Sequence, residues 1–147
     1  MKQDDSRLLF GDDFQFIPAE NDAQTADIVC REYMREIAER GVERVQILSS
    51  FKSRGESCVK NLNDRIRESV NPHDYARPEL KVGNRVFRLG DRVLQTRNQD
   101  DISNGDVDFV TNVYLGEDND SAVTVSFGAG RSHEYGTDET DMKDSVF

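Results

Sequence analysis

Two basic side chains beside a glycine are the first candidates for chemistry in this sequence. Lys52 and Arg54 precede Gly55 in a polar loop that follows a predicted buried strand. Open α/β sheets place their ligands at the carboxyl ends of the strands, where basic side chains can hold phosphate. One interpretation is a contact with the phosphates of a nucleic-acid backbone. The alternative is an ordinary solvated loop.

A second group of candidates follows a predicted strand further along the chain. Its members are amide and guanidinium side chains, which can hold phosphates or stack on bases in a groove for single strands: Gln95, Arg97, Asn98 and Asn104. Turn formation is the alternative, because Asn98 begins a polar loop. The pair Asn104-Gly105 is also the preferred sequence for a tight hairpin.

Catalytic and metal-binding constellations are not expected. His73 and His133 have no second imidazole or thiol at ligand spacing. The carboxylates of residues 137–147 lack the spaced glycine of a calcium loop, so they predict a solvated acidic tail. The sequence contains no G-x-x-x-x-G-K-[ST] phosphate loop. We therefore predict no catalytic residue and no metal ligand in this chain.

Charge is distributed unevenly along the 147 residues, whose formal net charge is −10. Residues 44–97 contain 12 Lys/Arg and 6 Asp/Glu, whereas residues 1–43 contain 5 and 11, and residues 98–147 contain 2 and 12. A basic middle between acidic ends indicates an anionic partner, or pairing of the middle with those ends.

Composition favours a modest core, because hydrophobic residues make up 35% and charged residues 33%. Cys30 and Cys58 fit no disulfide framework and are expected to be reduced, mostly buried thiols. No apolar run approaches membrane-spanning length and no leader pattern opens the chain. We expect a cytoplasmic protein with no membrane partner.

Residues 1–71 predict a βαβα arrangement. In order, the predicted elements are a strand at Phe14–Ile17, a helix from Asp22 to Gly41, a strand at Val45–Leu48 and a helix from Ser57 to Ser69. The apolar side of the second helix is expected to contain Val59, Leu62, Ile66 and Val70. This order predicts a parallel strand pair. Its unpaired edges suggest a piece of a larger α/β sheet.

Residues 72–81 predict a linker, and residues 82–136 predict a small, strongly bent β-barrel. Turns are expected at Gly90-Asp91, Asn104-Gly105 and Gly128–Gly130. One strand face should contain Val107, Phe109, Thr111 and Val113, and the next should contain Val123, Val125 and Phe127. A last strand is expected at 132–135, before a frayed tail. The expected fold class is α+β.

Several short motifs occur in a distinctive order. They are V-Q-I-L-S at 45–49, Lys52, Gly55, L-N at 62–63, N-P at 71–72, G-D-R-V-L-Q-T-R-N at 90–98 and N-G-D at 104–106. This order resembles the C-terminal part of RecD/TraA-type superfamily 1 DNA helicases. These are ATP-dependent enzymes that include the alpha chain of exodeoxyribonuclease V. The resemblance covers roughly residues 10–136.

The resemblance implies that residues 1–71 belong to the second RecA-like motor domain of such a helicase. Residues 82–136 would be its Src-homology-3-like barrel, which lies against single-stranded DNA. The segment Lys52 to Gly55 matches the family's basic loop. The chain departs from the family pattern at Ser50, Cys58 and Asp108, where the family has Pro, Gly and Gly. Asp108 adds a negative charge where DNA contact is implied.

The implied function is that of a non-catalytic helicase fragment that binds single-stranded DNA. Phosphoryl transfer needs a phosphate cradle, a metal-binding carboxylate and usually an arginine finger, so this chain alone is not expected to hydrolyse ATP. ATP and Mg²⁺ are expected for the full-length helicase. Implied partners are the remaining helicase domains and other recombination subunits. The alternative is a protein-interaction module that docks subunits of a DNA recombination or repair complex.

Overall fold

The computed structural model describes residues 13–117 and 120–137, together with the backbone of 142–143. Within these residues the helices are α1 (Asp22–Arg40), a 3₁₀ turn (Val42–Arg44) and α2 (Val59–Val70). The strands are β1 (Glu79–Val82), β2 (Arg85–Arg88), β3 (Arg92–Gln95), β4 (Val107–Tyr114), β5 (Ala122–Ser126), β6 (Ser132–Gly136) and β7 (Met142–Lys143). Neither α-helix is both long and apolar enough to span a membrane.

Helix α1 begins and ends at the predicted signals. The Asn21 side chain accepts a hydrogen bond of 2.9 Å from the backbone N–H of Gln24, which satisfies a donor that the first turn leaves free. Gly41 ends the helix with φ of 87°, a conformation that glycine adopts without a steric penalty. Ala26 and Tyr33 are buried on the predicted apolar face.

Helix α2 packs on α1 through Leu62 and Ile66, which join Ala26 and Tyr33 in one buried cluster. The helix ends at Asn71, before Pro72, as predicted. Val59 was expected on this apolar side, but 37% of its surface is exposed. Val59, the first residue of α2, therefore lies outside the cluster that the rest of the helix helps to form.

The predicted parallel strand pair is wrong for the described residues. Neither Phe14–Ile17 nor Val45–Leu48 is a strand, and every strand pairing in the described part is antiparallel. Val45 and Ile47 pack against the helices while Gln46 and Leu48 are exposed, which is the alternation of a strand. A strand also requires a hydrogen-bonded neighbour. Within the described residues, the backbone of 46–48 has none.

The strands form two antiparallel sheets with an Src-homology-3-like arrangement. The hairpin β1–β2 is one sheet, and the other has the order β6-β5-β4-β3-β7. Their common core includes Leu80, Phe87, Val93, Val110 and Val125. Strand β1 lies partly in the predicted linker, where sequence patterning gave no strand signal. Strand β7 lies in the predicted frayed tail and pairs with β3.

The turn signals were found, but one of them forms a different kind of turn from the one predicted. Gly90-Asp91 forms a turn closed by Asp91 N–H donating to Arg88 C=O over 3.0 Å, and it leads from one sheet into the other. Asn104-Gly105 forms a turn closed by Asp106 N–H and Ser103 C=O. That turn ends a long loop between β3 and β4, so the predicted tight hairpin is wrong.

The inward face of β4 differs from the predicted alternation. The register shifts between Val110 and Asn112, so that Thr111 is an extra residue in the strand. A β-bulge of this kind lets residues on either side point to the same face. Val110 and Val113 are therefore both buried, while Thr111 is exposed. The predicted face on β5 is confirmed, since Val123, Val125 and Phe127 are buried.

Candidate nucleic-acid interface

Residues 50–57, the basic loop, carry Lys52 and Arg54 between residues 45–48, the extended segment, and α2. The loop folds back on the first turn of α2, because Val59 N–H donates to Phe51 C=O over 2.8 Å and Lys60 N–H donates to Lys52 C=O over 3.1 Å. Both basic side chains are exposed, and within the described residues neither forms an ion pair. Their charges are therefore available to an anion.

Asp22, in the first turn of α1, holds the other end of the basic loop. Its carboxylate accepts hydrogen bonds from Glu56 N–H, from Ser57 N–H at 3.3 Å and from the Ser57 hydroxyl. The Ser57 hydroxyl makes the largest contribution to lowering the pKa of Asp22, followed by the Glu56 backbone. Gly55 has φ of 85°, and a Cβ there would overlap Asp22.

Residues 96–106, the barrel loop, carry three of the other predicted site residues. Arg97, Asn98 and Asn104 are all exposed. Asn98 also closes the loop, since its side-chain oxygen accepts from Asn104 N–H over 2.8 Å. Ile102 anchors the loop in the barrel core and is only 2% exposed. The polar side chains of the barrel loop therefore close the loop and are also exposed to solvent.

Gln95 lies inside the barrel. Its side chain is fully buried, and its Oε1 accepts a hydrogen bond of 2.7 Å from the Tyr135 hydroxyl. Its Nε2 has no hydrogen-bond partner within the described part of the chain. A side chain in this position cannot touch a DNA strand while the barrel is closed, so we do not retain Gln95 as a DNA contact.

Arg131 braces the barrel loop and was missed by sequence reasoning. Its Nη1 donates to Asp101 C=O over 2.7 Å, and its Nη2 donates to Phe127 C=O over 2.9 Å. A second contact to the same loop joins the side chains of Gln99 and His133 at 3.0 Å. An isolated arginine directly after the Gly128–Gly130 turn was the available signal.

A buried cluster around Asp91 fixes α2 to the barrel. Asp91 is fully buried and forms an ion pair with Arg67 of α2. It also accepts hydrogen bonds of 2.8 Å from the Asn71 side chain and from Arg88 N–H. The next residue, Arg92, donates to Val45 C=O over 2.9 Å. Adjacent barrel residues thus hold both α2 and the extended segment.

Ion pairs within the described residues neutralise part of the basic middle. Arg67, Arg77 and Arg88 pair with carboxylates that also belong to the middle, and Arg65 pairs with Asp27 of the acidic N-terminal region. Thus only one of these pairs reaches an acidic end of the chain. No group of three or more potential metal ligands is present among the described residues.

Comparison with known families gives a match over part of the chain. Residues 62–127 match the family model described as the SH3 domain of ATP-dependent RecD-like DNA helicases. The match begins at Leu62 in α2 and ends at Phe127 after β5, so it contains the whole Asp91 cluster. Over these residues the chain is similar to the SH3 domain of RecD-like helicases, which supports both the RecD-like resemblance and the SH3-like domain.

Proposed function

We propose that this chain is a non-catalytic part of a RecD-like DNA helicase that binds single-stranded DNA through its phosphates, without sequence preference. The observation that carries the proposal is the basic loop. Lys52 and Arg54 are exposed and form no ion pair within the described residues, and they lie on a loop held by α1 and α2. The same α2 is joined to a barrel similar to the helicase SH3 domain.

The barrel loop supplies the second part of the proposed surface. Arg97 would neutralise a phosphate, and the Asn98 and Asn104 side chains would donate to phosphate oxygens, as contacts with single strands require. Asp108, on the neighbouring β4, lowers the local positive potential. We therefore expect modest affinity that depends strongly on salt.

The remaining chemistry would come from other parts of the helicase. In this proposal residues 1–71 belong to the second RecA-like motor domain, and the phosphate loop, ATP and Mg²⁺ belong to the full-length enzyme. The chain alone would show only background ATP hydrolysis. Clear turnover by the purified chain would contradict this assignment.

The test is a salt titration of binding to a fluorescent thymidine oligonucleotide. For single strands the slope of log K against log salt is about −0.7 per neutralised phosphate. The triple variant Lys52→Ala, Arg54→Ala, Arg97→Ala should flatten the slope by up to about 2, one step per lost contact. The charge-matched control replaces Arg31, Arg35 and Arg40, which are exposed on α1. An equal loss in the control would assign the effect to net charge.

A second candidate function is protein interaction, and one feature favours it. A cavity of about 610 Å³ lies between α1 and residues 15–19 and 45–47. Phe16 is 77% exposed and Leu48 is 90% exposed beside it. The unpaired backbone of 46–48 fits an extended strand from the remaining motor domain, and the same surface would suit another subunit of a recombination or repair complex.

Electrophoretic mobility of a labelled oligonucleotide at low salt separates the two candidates. A shift at micromolar protein that the triple variant abolishes supports DNA binding. Absence of any shift at high protein concentration supports the interaction module. In that case Leu48→Asp should prevent assembly with the remaining helicase domains, whereas Lys52→Ala should leave assembly unchanged.

A further inference from the structure

The basic loop has no apolar anchor of its own. Residues 50–56 are all exposed, so burial of side chains does not determine their conformation. Hydrogen bonds must do so, because an exposed loop of this length otherwise samples many conformations. At its start, the carbonyl groups of Phe51 and Lys52 accept hydrogen bonds from the N–H groups of Val59 and Lys60 in α2. At its end, Glu56 and Ser57 donate to Asp22, which lies more than thirty residues earlier in the chain.

Asp22 is electrostatically unfavourable in this place. A carboxylate next to a surface that binds phosphates repels the ligand and weakens the field of the neighbouring cations. Its position in the first turn of α1 is favourable for the helix dipole, but any acidic residue there would serve that purpose. The three bonds to Glu56 and Ser57 are specific to Asp22.

We infer that Asp22 is a positioning residue for DNA binding: it holds the basic loop in the conformation in which Lys52 and Arg54 contact phosphates. The inference rests on the proposed function. It predicts a change in DNA affinity opposite in sign to the change that electrostatics alone predicts. Removing a negative charge near the site should strengthen DNA binding if charge alone matters, and should weaken it if Asp22 orders the loop.

The test compares Asp22→Asn with Asp27→Asn in the full chain. Both substitutions remove one carboxylate from α1, but Asp27 is exposed and contacts Arg65, not the basic loop. Asp22→Asn places an amide N–H₂ against the loop donors, and we expect binding to the thymidine oligonucleotide to weaken about fivefold, the scale of one ordinary hydrogen bond. Asp27→Asn should bind as well as wild type or slightly better.

Ser57→Ala is a second variant that changes no charge. It removes only the hydroxyl donor to Asp22, so it should weaken binding in the same direction by a smaller factor. Circular dichroism of α1 and α2 checks that each variant is folded. Binding by Ser57→Ala equal to that of wild type, together with tighter binding by Asp22→Asn, would overturn the inference.

Amide hydrogen exchange gives a readout that does not depend on DNA. In Asp22→Asn at least one of the N–H groups of Glu56 and Ser57 should exchange at least about tenfold faster, because the amide keeps one oxygen acceptor where the carboxylate had two. Unchanged exchange would overturn the loop-holding role. If exchange accelerates while the wild-type chain binds no oligonucleotide, the proposed function fails and the loop-holding role stands.

Discussion

Arg67 and Asp91 form a buried ion pair between α2 and the barrel. The Nε of Arg67 donates to Asp91 Oδ1 over 3.1 Å, and its Nη2 donates to the other carboxylate oxygen. Asp91 is fully buried and Arg67 is 9% exposed. The Arg67 guanidinium also donates to Val86 C=O over 2.7 Å, so the arginine joins α2 to strand β2 and to the turn before β3. This pair acts together with the Asn71 and Arg88 contacts that also join α2 to the barrel.

The first prediction concerns the stability that this pair controls. Asp91→Ala should lower the free energy of unfolding by about 3–5 kcal/mol, because it leaves the Arg67 charge buried without an opposite charge. Urea denaturation followed by circular dichroism measures the change. Asp27→Ala is the control: it breaks an exposed pair with Arg65 and should cost about 1 kcal/mol or less. Similar losses in both variants would contradict the role of burial.

Sequence patterning predicted the elements whose signals are local. The cap at Asn21, the stop at Gly41 and the period of α1 each depend on neighbouring residues, and all were confirmed. The predicted strand at 45–48 has the alternation of burial that a strand shows, but it has no neighbouring strand within the described residues. A neighbouring strand can come from a part of the chain that is distant in sequence, which a local pattern does not reveal. For the same reason, patterning could not find the pairing of β7 with β3.

The candidate site was predictable in composition but not in accessibility. Exposure of Lys52, Arg54, Arg97, Asn98 and Asn104 agrees with their polar loops. Gln95 has the same polar character, yet it is the last residue of β3 and faces inward, where Tyr135 satisfies its oxygen. Which side chains of a strand face the inside of a barrel depends on how the strand pairs with its neighbours. The sequence of one strand does not reveal that pairing.

The second prediction uses the buried pair of Gln95 and Tyr135. Tyr135→Phe removes the donor to Gln95 Oε1 and should cost about 1–3 kcal/mol, the penalty of a buried polar group without a partner. Gln95→Met removes the oxygen that accepts from the tyrosine hydroxyl and should cost a similar amount. The double variant removes both groups and the unsatisfied Nε2, so it should be less destabilised than the sum of the single variants.

Thermal unfolding of the wild type, the two single variants and the double variant measures the coupling between the two side chains. Additive losses would show that the hydrogen bond contributes no coupling. Gln95→Met should also bind the oligonucleotide with wild-type affinity, because a fully buried side chain does not contact the ligand. A loss comparable to that of Arg97→Ala would restore Gln95 as a contact residue.

The third prediction is a dependence of stability on pH through Glu68 and Arg88. The Arg88 guanidinium, 2.7 Å from Glu68, lowers the pKa of that carboxyl below its ordinary 4.5. A carboxyl whose pKa is lower in the folded state stabilises the fold above its unfolded pKa, and this contribution is lost as pH falls through the folded pKa. The free energy of unfolding should therefore fall on acidification below about pH 4.5.

Arg88→Met should flatten that acid-side decline. The same variant removes a partner of Glu79, whose pKa is raised by burial but lowered overall by bonds from His73 and Arg88. Lys81→Met serves as the control, because Lys81 is exposed and forms no ion pair within the described residues. Urea midpoints measured between pH 3 and 6 give the comparison. An equal flattening by the control would attribute the slope to net charge.

The fourth prediction separates the geometry of Arg131 from its charge. The Nη1 and Nη2 atoms of its guanidinium donate to Asp101 C=O and Phe127 C=O, which ties the barrel loop to the β5–β6 turn. A lysine retains the charge but offers one compact ammonium group in place of a planar fork. Arg131→Lys should therefore speed amide exchange at Gln99 and Ile102 nearly as much as Arg131→Ala. Both variants should lose about 1–2 kcal/mol of stability. Rescue of slow exchange by Arg131→Lys would show that charge, and not the two-point brace, holds the loop.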